Sequence, residues 1–424
     1  CAGSGKTIVA ALTAKEYERQ DKDVQFLSYT KFLRKYVEDH FVAQDSSISA
    51  NNFHRWAYLD DGQCTLAIVD ECQDFTTMMV DATKARSQYQ IWLGDSNQQI
   101  YGQAFASNGF DKIIANLTES KSDVYKFDIN FRNPMSVAQL AKCFIHYSEK
   151  YDKGVSSFDE KIKNFISPIL ANSDQSAANR NQPNTIIHAK SLADEFDAIA
   201  EKINLIQSNE RGNRQIAIVG ADHDICDEIE KELDSRNIQF TRYWSLGSSE
   251  EKPEHIDFTD PNLVLVAPIA SLKGFEADYI IYPRSERSNI DFEKLFVKES
   301  SNIYGDPYNL STKQREIYIL NLLFMLFTRA KKRIICSYTN ESDSIVYKYI
   351  KNAMNHPSTK KYFIKQLSSD VLEGDANNTS ISQDEVDKRL DEVKSEFEKN
   401  FPLKNNSDDY DDDDDDEDDD DLPF

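Results

Sequence analysis

The sequence lacks several features that would each have placed the protein elsewhere. Its six cysteines (1, 64, 72, 143, 226 and 336) include no C-x-x-C pair. Neither a disulfide framework nor a zinc site is expected, and the thiols read as reduced, in an intracellular and cytoplasmic setting. No apolar run approaches the roughly 20 residues of a membrane span and no secretory signal opens the chain, so no membrane partner is expected. No internal repeat and no nuclease signature is visible, and residue 1 is not Met.

A basic excess is missing as well. The net charge is −24, but residues 408–421 carry 13 acids in 14 positions, which leaves −11 for the rest. Global charge therefore excludes little, because a protein that handles a polyanion needs only a local groove. What remains is 424 residues, 40% apolar and 11% aromatic, enough for about two or three domains with substantial cores.

Two motifs are present early. Cys1-Ala2-Gly3-Ser4-Gly5-Lys6-Thr7 is a glycine-rich turn ending in Lys-Thr, and Asp70-Glu71-Cys72-Gln73-Asp74 begins 63 residues after Thr7. The first presents free backbone N–H groups to phosphates, with Lys6 neutralising the β/γ oxygens and the Thr7 hydroxyl taking a magnesium ion. In the second, a carboxylate pair ending an apolar strand supplies Asp70 to hold Mg²⁺ and Glu71 to orient an attacking water. ATP and Mg²⁺ are thus the expected substrate and metal. The pattern G-x-x-x-x-G-K-T lacks its first glycine, so the preceding strand is expected upstream.

Short apolar runs alternate with helical stretches over residues 1–340, which predicts a parallel α/β architecture. The runs are 24–29, 65–70, 90–95, 215–220, 263–269, 279–283 and 333–338. The expected organisation is a first domain over 1–125, a second over 126–345 with a mostly helical stretch at 135–210, a helical extension over 346–402, and a disordered acidic tail over 403–424. Ser382 and Glu385 have capping-box spacing for a last helix near 383–400. The tail is too polar to bury a core.

The form D-E-C-Q-D resembles the signature of superfamily-one helicases of the UvrD/Rep group, and further matches follow in that family's order. Phe26-Leu27-Ser28-Tyr29-Thr30-Lys31 is similar to motif Ia, and Asn52-Phe53-His54-Arg55-Trp56 to motif Ib. Leu93 to Tyr101 is similar to motif III, Asn130-Phe131-Arg132 to motif IV, Ser271 to Glu276 to motif V, and Phe327-Thr328-Arg329-Ala330-Lys331 to motif VI. The resemblance implies two RecA-like P-loop domains closing on ATP. It makes Gln98 a γ-phosphate sensor, Arg132 and Arg329 arginine fingers, Phe131 the base-stacking aromatic and Glu276 a ribose contact, beside Gly3, Ser4, Gly5, Lys6 and Thr7 at the phosphates. It also implies a strand track, for which Tyr29, His54, Trp56 and Tyr101 are candidates, because base–aromatic stacking is worth about 1–3 kcal/mol per base. Aromatics near strand ends serve equally well as core residues.

Departures from the family pattern fall mainly on that track. Gln103 and Ala104 stand where the family has an aromatic and an arginine, and Pro268 and Ala270 where it has Thr and His. The spacings from His54 to Leu66 and from Gly220 to Leu263 leave no room for the family's accessory domains. The expected function is an ATP-dependent helicase or translocase on single-stranded DNA with 3′→5′ polarity, RNA remaining open as the track. The alternative is a nucleic-acid-responsive ATPase switch or regulatory subunit acting with a nuclease or other DNA-processing or defence partner.

Overall fold

In a computed structural model the chain is an α/β protein in which every strand pair among the described residues is parallel. The structure describes residues 3–28, 48–53, 63–100, 109–119, 129–152, 170–171, 183–209, 212–242, 256–288, 312–342 and 344–372, together with positions 34, 37, 56, 123, 125 and 127. Two compact units divide the chain, 1–373 and 374–424, and every described residue lies in the first. The expected last helix and acidic tail lie outside the described residues.

The first sheet has the order β2-β1-β3-β4, built from β1 (Val24–Ser28), β2 (Ile48–Asn52), β3 (Cys64–Val69) and β4 (Ser87–Trp92). All of β1 and nearly all of β3 is buried, the unbroken apolar run expected of a parallel strand covered on both faces. Helix α1 (Lys6–Glu18) buries Ala10, Ala11 and Ala14, small residues that let its backbone approach the sheet. Helix α2 (Thr77–Arg86) is capped by Thr76, whose side chain accepts from the Met79 N–H. Helix α3 (Gly109–Glu119) completes this half. Strand β4 sits three residues earlier than the expected run at 90–95, because half of its apolar signal belongs to the turn that follows it.

The second sheet has the order β13-β7-β12-β11-β8-β10-β9. Its members are β7 (Asn184–His188), β8 (Ile216–Gly220), β9 (Thr241–Arg242), β10 (Val264–Pro268), β11 (Ala277–Tyr282), β12 (Ala330–Tyr338) and β13 (Phe363–Leu367); β5 (Ile129–Asn130) and β6 (Leu170–Ala171) form a separate short pair. The strands' two-residue period divides the core in two. Ile216 and Ile218 pack into one apolar layer with α5 (Leu192–Asn209) and α6 (His223–Ser235). Ala217 and Val219 join the other layer with α4 (Met135–Asp152), α7 (Thr312–Phe327) and α8 (Ile345–Asn355). Each buried Ile or Leu in these layers contributes about 1.5–3 kcal/mol.

Two expectations about this half need correction. The stretch at 135–210 is interrupted by β7, whose Asn184-Thr185-Ile186-Ile187-His188 offers two aliphatic residues between polar ones and so shows no apolar run. Its polar ends are used: Asn184 donates to the Ser136 carbonyl (3.2 Å) and accepts from the Ile334 N–H (3.0 Å). The extension from 346 begins helical with α8, but residues 363–367 form β13, which pairs with β7 at the sheet's edge. None of its residues is fully buried, and Lys365-Gln366 interrupts its apolar residues, so the run is a half-exposed edge strand completed by the β7 ladder. A last short helix, α9 (Ser368–Leu372), follows.

Candidate active site

The phosphate loop has the backbone its sequence demands. Gly3 (φ 63°) and Gly5 (φ 83°) are both left-handed, a region open to glycine at little cost. Gly5 is the N-cap of α1 and no side chain caps that helix, so its first N–H groups and the positive end of its dipole meet the cleft. A Cβ on Gly3 would fall 2.6 Å from the Arg132 Cβ, so only glycine allows this loop to approach the segment after β5. That segment is tied to the loop: the Phe131 N–H donates to the Gly3 carbonyl (2.8 Å).

The carboxylates sit where β3 ends. Asp70 accepts from the Thr7 hydroxyl (2.6 Å) and from the Glu71 N–H (2.9 Å). Burial, and next the charge of Glu71, push the Asp70 carboxyl up to about 6. Thr7 and Asp70 form a hard oxygen pair beside an electropositive helix end, and two adjacent buried carboxylates raise each other's cost of ionisation. Both features fit a small divalent cation such as Mg²⁺. Glu71 is held in the left-handed region (φ 56°), uncommon for a non-glycine residue and frequent at functional sites. Burial alone would raise its pKa, but Lys273, Arg329 and Lys6 outweigh burial and hold it below the usual range, so Glu71 is ionised. Gln73 fixes its rotamer by donating to Oε2 (2.5 Å).

The second half supplies the cations. Arg329, 2% exposed, donates to the Gln98 side-chain carbonyl, and Gln98 donates in turn to Asp95 (2.9 Å). Burial and the neighbouring Arg132 lower the Arg329 pKa to about 10, which leaves it charged at neutral pH. Arg132 pairs with Glu276 and reaches the Thr328 carbonyl (3.4 Å). Lys331 lies 3.7 Å from the other Glu276 oxygen. Burial opposes ionisation of Glu276, but Arg132, Lys331 and Arg329 keep its pKa below the usual range. Phe131 is 51% exposed, an aromatic ring left open beside the phosphate loop.

These groups line one cleft of about 820 Å³, with Gly3–Thr7, Asp70, Glu71 and Gln98 from one sheet and Phe131, Arg132, Glu276 and Arg329 from the other. Lys273 was visible within Ser271–Glu276 but carried no assigned role. It is 1% exposed, pairs with Asp74, lies 3.7 Å from Glu71 and donates to the Gln98 carbonyl (2.5 Å). Lys331, at the end of the motif at 327–331 but given no role there, also lines the cleft, as do Asn213, Asp278 and Lys332, which no sequence signal marked.

The strand-binding candidates fare differently. Tyr29, His54 and Tyr101 lie outside the described residues. Trp56 requires correction: it is 1% exposed, packed with Phe53 (centroids 6.0 Å apart) beneath the Arg86 guanidinium, which also donates to its carbonyl (3.0 Å). No ring face remains for a base, so Trp56 is a core residue.

Residues 125–247 match the family model of the UvrD-like helicase C-terminal domain. Among solved structures the chain is similar to the C-terminal domain of a "possible DNA helicase" from Lactobacillus plantarum WCFS1, with 14% identity, a TM-score of 0.30, and 56% of this chain and 98% of that one covered. It is also similar to S. cerevisiae Dbp5 bound to RNA and ADP BeF3, with 11% identity, a TM-score of 0.46, and 92% and 87% of the two chains covered. No curated protein matches the sequence.

Proposed function

We propose that this chain, whose residues 125–247 match the UvrD-like helicase C-terminal domain, is an ATP hydrolase that moves along single-stranded DNA with 3′→5′ polarity. The observation that carries this reading is the single cleft lined by Lys6, Asp70 and Glu71 on one side and Arg132 and Arg329 on the other. The polyphosphate of ATP rests on the N–H groups that follow Gly5, with Lys6 beside it. The base stacks on the open face of Phe131, and Glu276 accepts from the ribose hydroxyls.

Thr7 and Asp70 would hold Mg²⁺, which would supply charge neutralisation at the phosphates. Glu71, ionised and fixed by Gln73, orients the attacking water. Arg132 and Arg329 offset the charge that develops on the γ-phosphoryl group, a contribution of about a thousandfold or more. Arg132 is paired with Glu276 in this structure, so ribose and γ-phosphate draw the two partners of one ion pair apart. Gln98, already in the grip of Arg329, carries the state of the γ-phosphate to the second half. Each turnover is then a closing and opening of the cleft.

Steady-state ATPase of the full-length protein, with and without single-stranded DNA or RNA, tests the reading. Strong stimulation by DNA supports a translocase, and stimulation by RNA alone changes the track. Absence of hydrolysis sinks the proposal. One observation favours a second reading: with Trp56 in the core, the strand contacts are thinner than the motifs suggested. Hydrolysis indifferent to either nucleic acid would support an ATP-driven switch that works with a partner such as a nuclease.

A further inference from the structure

The segment 95–100, which carries Gln98, is bonded on two sides. Toward the carboxylate turn, the Asp95 N–H donates to the Gln73 side chain (3.0 Å), Gln99 donates to the Gln73 carbonyl (2.8 Å), and the Ile100 N–H donates to Asp74 (3.4 Å). Toward the second half, Asn321 on α7 donates to the carbonyls of Gln99 (3.0 Å) and Ser96 (3.4 Å). The Ile100 side chain, 2% exposed, is inserted in the apolar layer that α7 and α4 build.

Asn321 is out of place by composition. It is 5% exposed and lies in a run where Tyr318, Ile319, Leu320, Leu322, Leu323 and Phe324 are all buried and apolar. An amide there is costly unless its hydrogen bonds are made, and asparagine is a weak helix former. Its donor is turned on backbone carbonyls of the first half. Eight residues further on, the same chain direction delivers Arg329 to the Gln98 side chain. One helix therefore holds the backbone on both sides of Gln98 and, just past its end, the side chain itself.

We propose that Asn321 is a positioning residue for Gln98: by clasping Ser96 and Gln99 it sets where the Gln98 amide stands between Asp95 and Arg329, so that a shift of α7 is felt at the γ-phosphate. The proposal rests on the ATPase reading above. Asn321 is not among the residues that line the cleft and acts only through Gln98.

The test is a double-mutant cycle in the full-length protein, with hydrogen exchange as a second readout. Asn321→Leu, similar in size and without a donor, should lower kcat about tenfold with KM for ATP within about twofold. In a Gln98→Ala background the same substitution should change kcat by less than about twofold, because its target is gone. Amides of residues 96–100 should exchange faster in Asn321→Leu while those at the centre of α7 do not. Unchanged kcat, full additivity with Gln98→Ala, or unchanged exchange at 96–100 would each overturn the assignment. If Asn321→Leu does not fold, Asn321→Asp, which keeps the volume and loses the donor, is read in the same way; failure of both to fold marks a structural role and also overturns it. A wild type that hydrolyses no ATP overturns the parent reading, whereas an active wild type with an additive cycle overturns this inference alone.

Discussion

The two sheets meet the cleft by opposite ends. In the first, Asp70 and Asp95 follow the carboxyl ends of β3 and β4, and the phosphate loop stands beside them. In the second, Glu276 and Arg329 immediately precede β11 and β12, so that sheet presents its amino ends. The chemistry differs accordingly. The first half offers amides, one lysine, a hydroxyl and two carboxylates, a set suited to hold a phosphate chain and its metal. The second offers two arginines, Lys331 and Lys332, an open aromatic ring, Asp278 and a carboxylate, Glu276, already paired with one of those arginines. Under the proposed function, the first half is the binding half and the second the half that completes the transition state. Neither is a site alone.

That division can be broken. The largest effect expected is for Arg329→Ala: turnover should fall about a thousandfold or more, while a fluorescent ATP analogue still binds. Loss of binding along with turnover would erase the distinction between the halves. Glu71→Gln comes next, with ATP bound but turnover lower by about 10²–10⁴; normal turnover in single-turnover experiments would remove Glu71 from the chemistry. Trp56→Ala should cost about 3–5 kcal/mol in urea unfolding as a core truncation. Trp56→Phe should leave affinity for a labelled oligonucleotide within about twofold, and a large loss there would return Trp56 to the strand track.

The smallest effect concerns pH. Burial pushes Asp74 up to about 6, although Lys273 lies against it. Between about pH 4 and 6 the folded chain keeps a proton at Asp74 that the unfolded chain has released. The contribution of this group to stability is therefore complete below about pH 4 and shrinks as pH rises to about 6. Relative to Asp74→Asn, wild-type thermal stability should decline across that window and run parallel above it. Curves parallel throughout would mean that Asp74 titrates normally.

Most of the candidate site could be read in the sequence, because its residues lie in local runs. A glycine turn followed by Lys6-Thr7, and two carboxylates ending an apolar strand, are contiguous and need no partner to be recognised. Strands covered on both faces, such as β1, β8 and β11, were equally plain as apolar runs. What escaped was what borrows its stability from elsewhere. Strand β7 has only two aliphatic residues between polar ones, and β13 has its apolar residues split by Lys365-Gln366; both are completed by the open ladders that β12 and then β7 offer. Trp56 looked like a track residue by its place after Phe53, yet Arg86, 30 residues further on, and the core around it decide otherwise.

By itself the sequence determined the phosphate loop, the carboxylate pair and the parallel α/β class, since each follows from residue type and short-range period. Only the tertiary structure decided which second-half residues reach those groups. Arg132 meets Glu276 across 144 positions and Arg329 meets Gln98 across 231, separations over which no local pattern carries information. The first pairing is made within the second half and the second where the carboxyl ends of one sheet meet the amino ends of the other, and long-range packing is the one property that spacing along a chain does not encode.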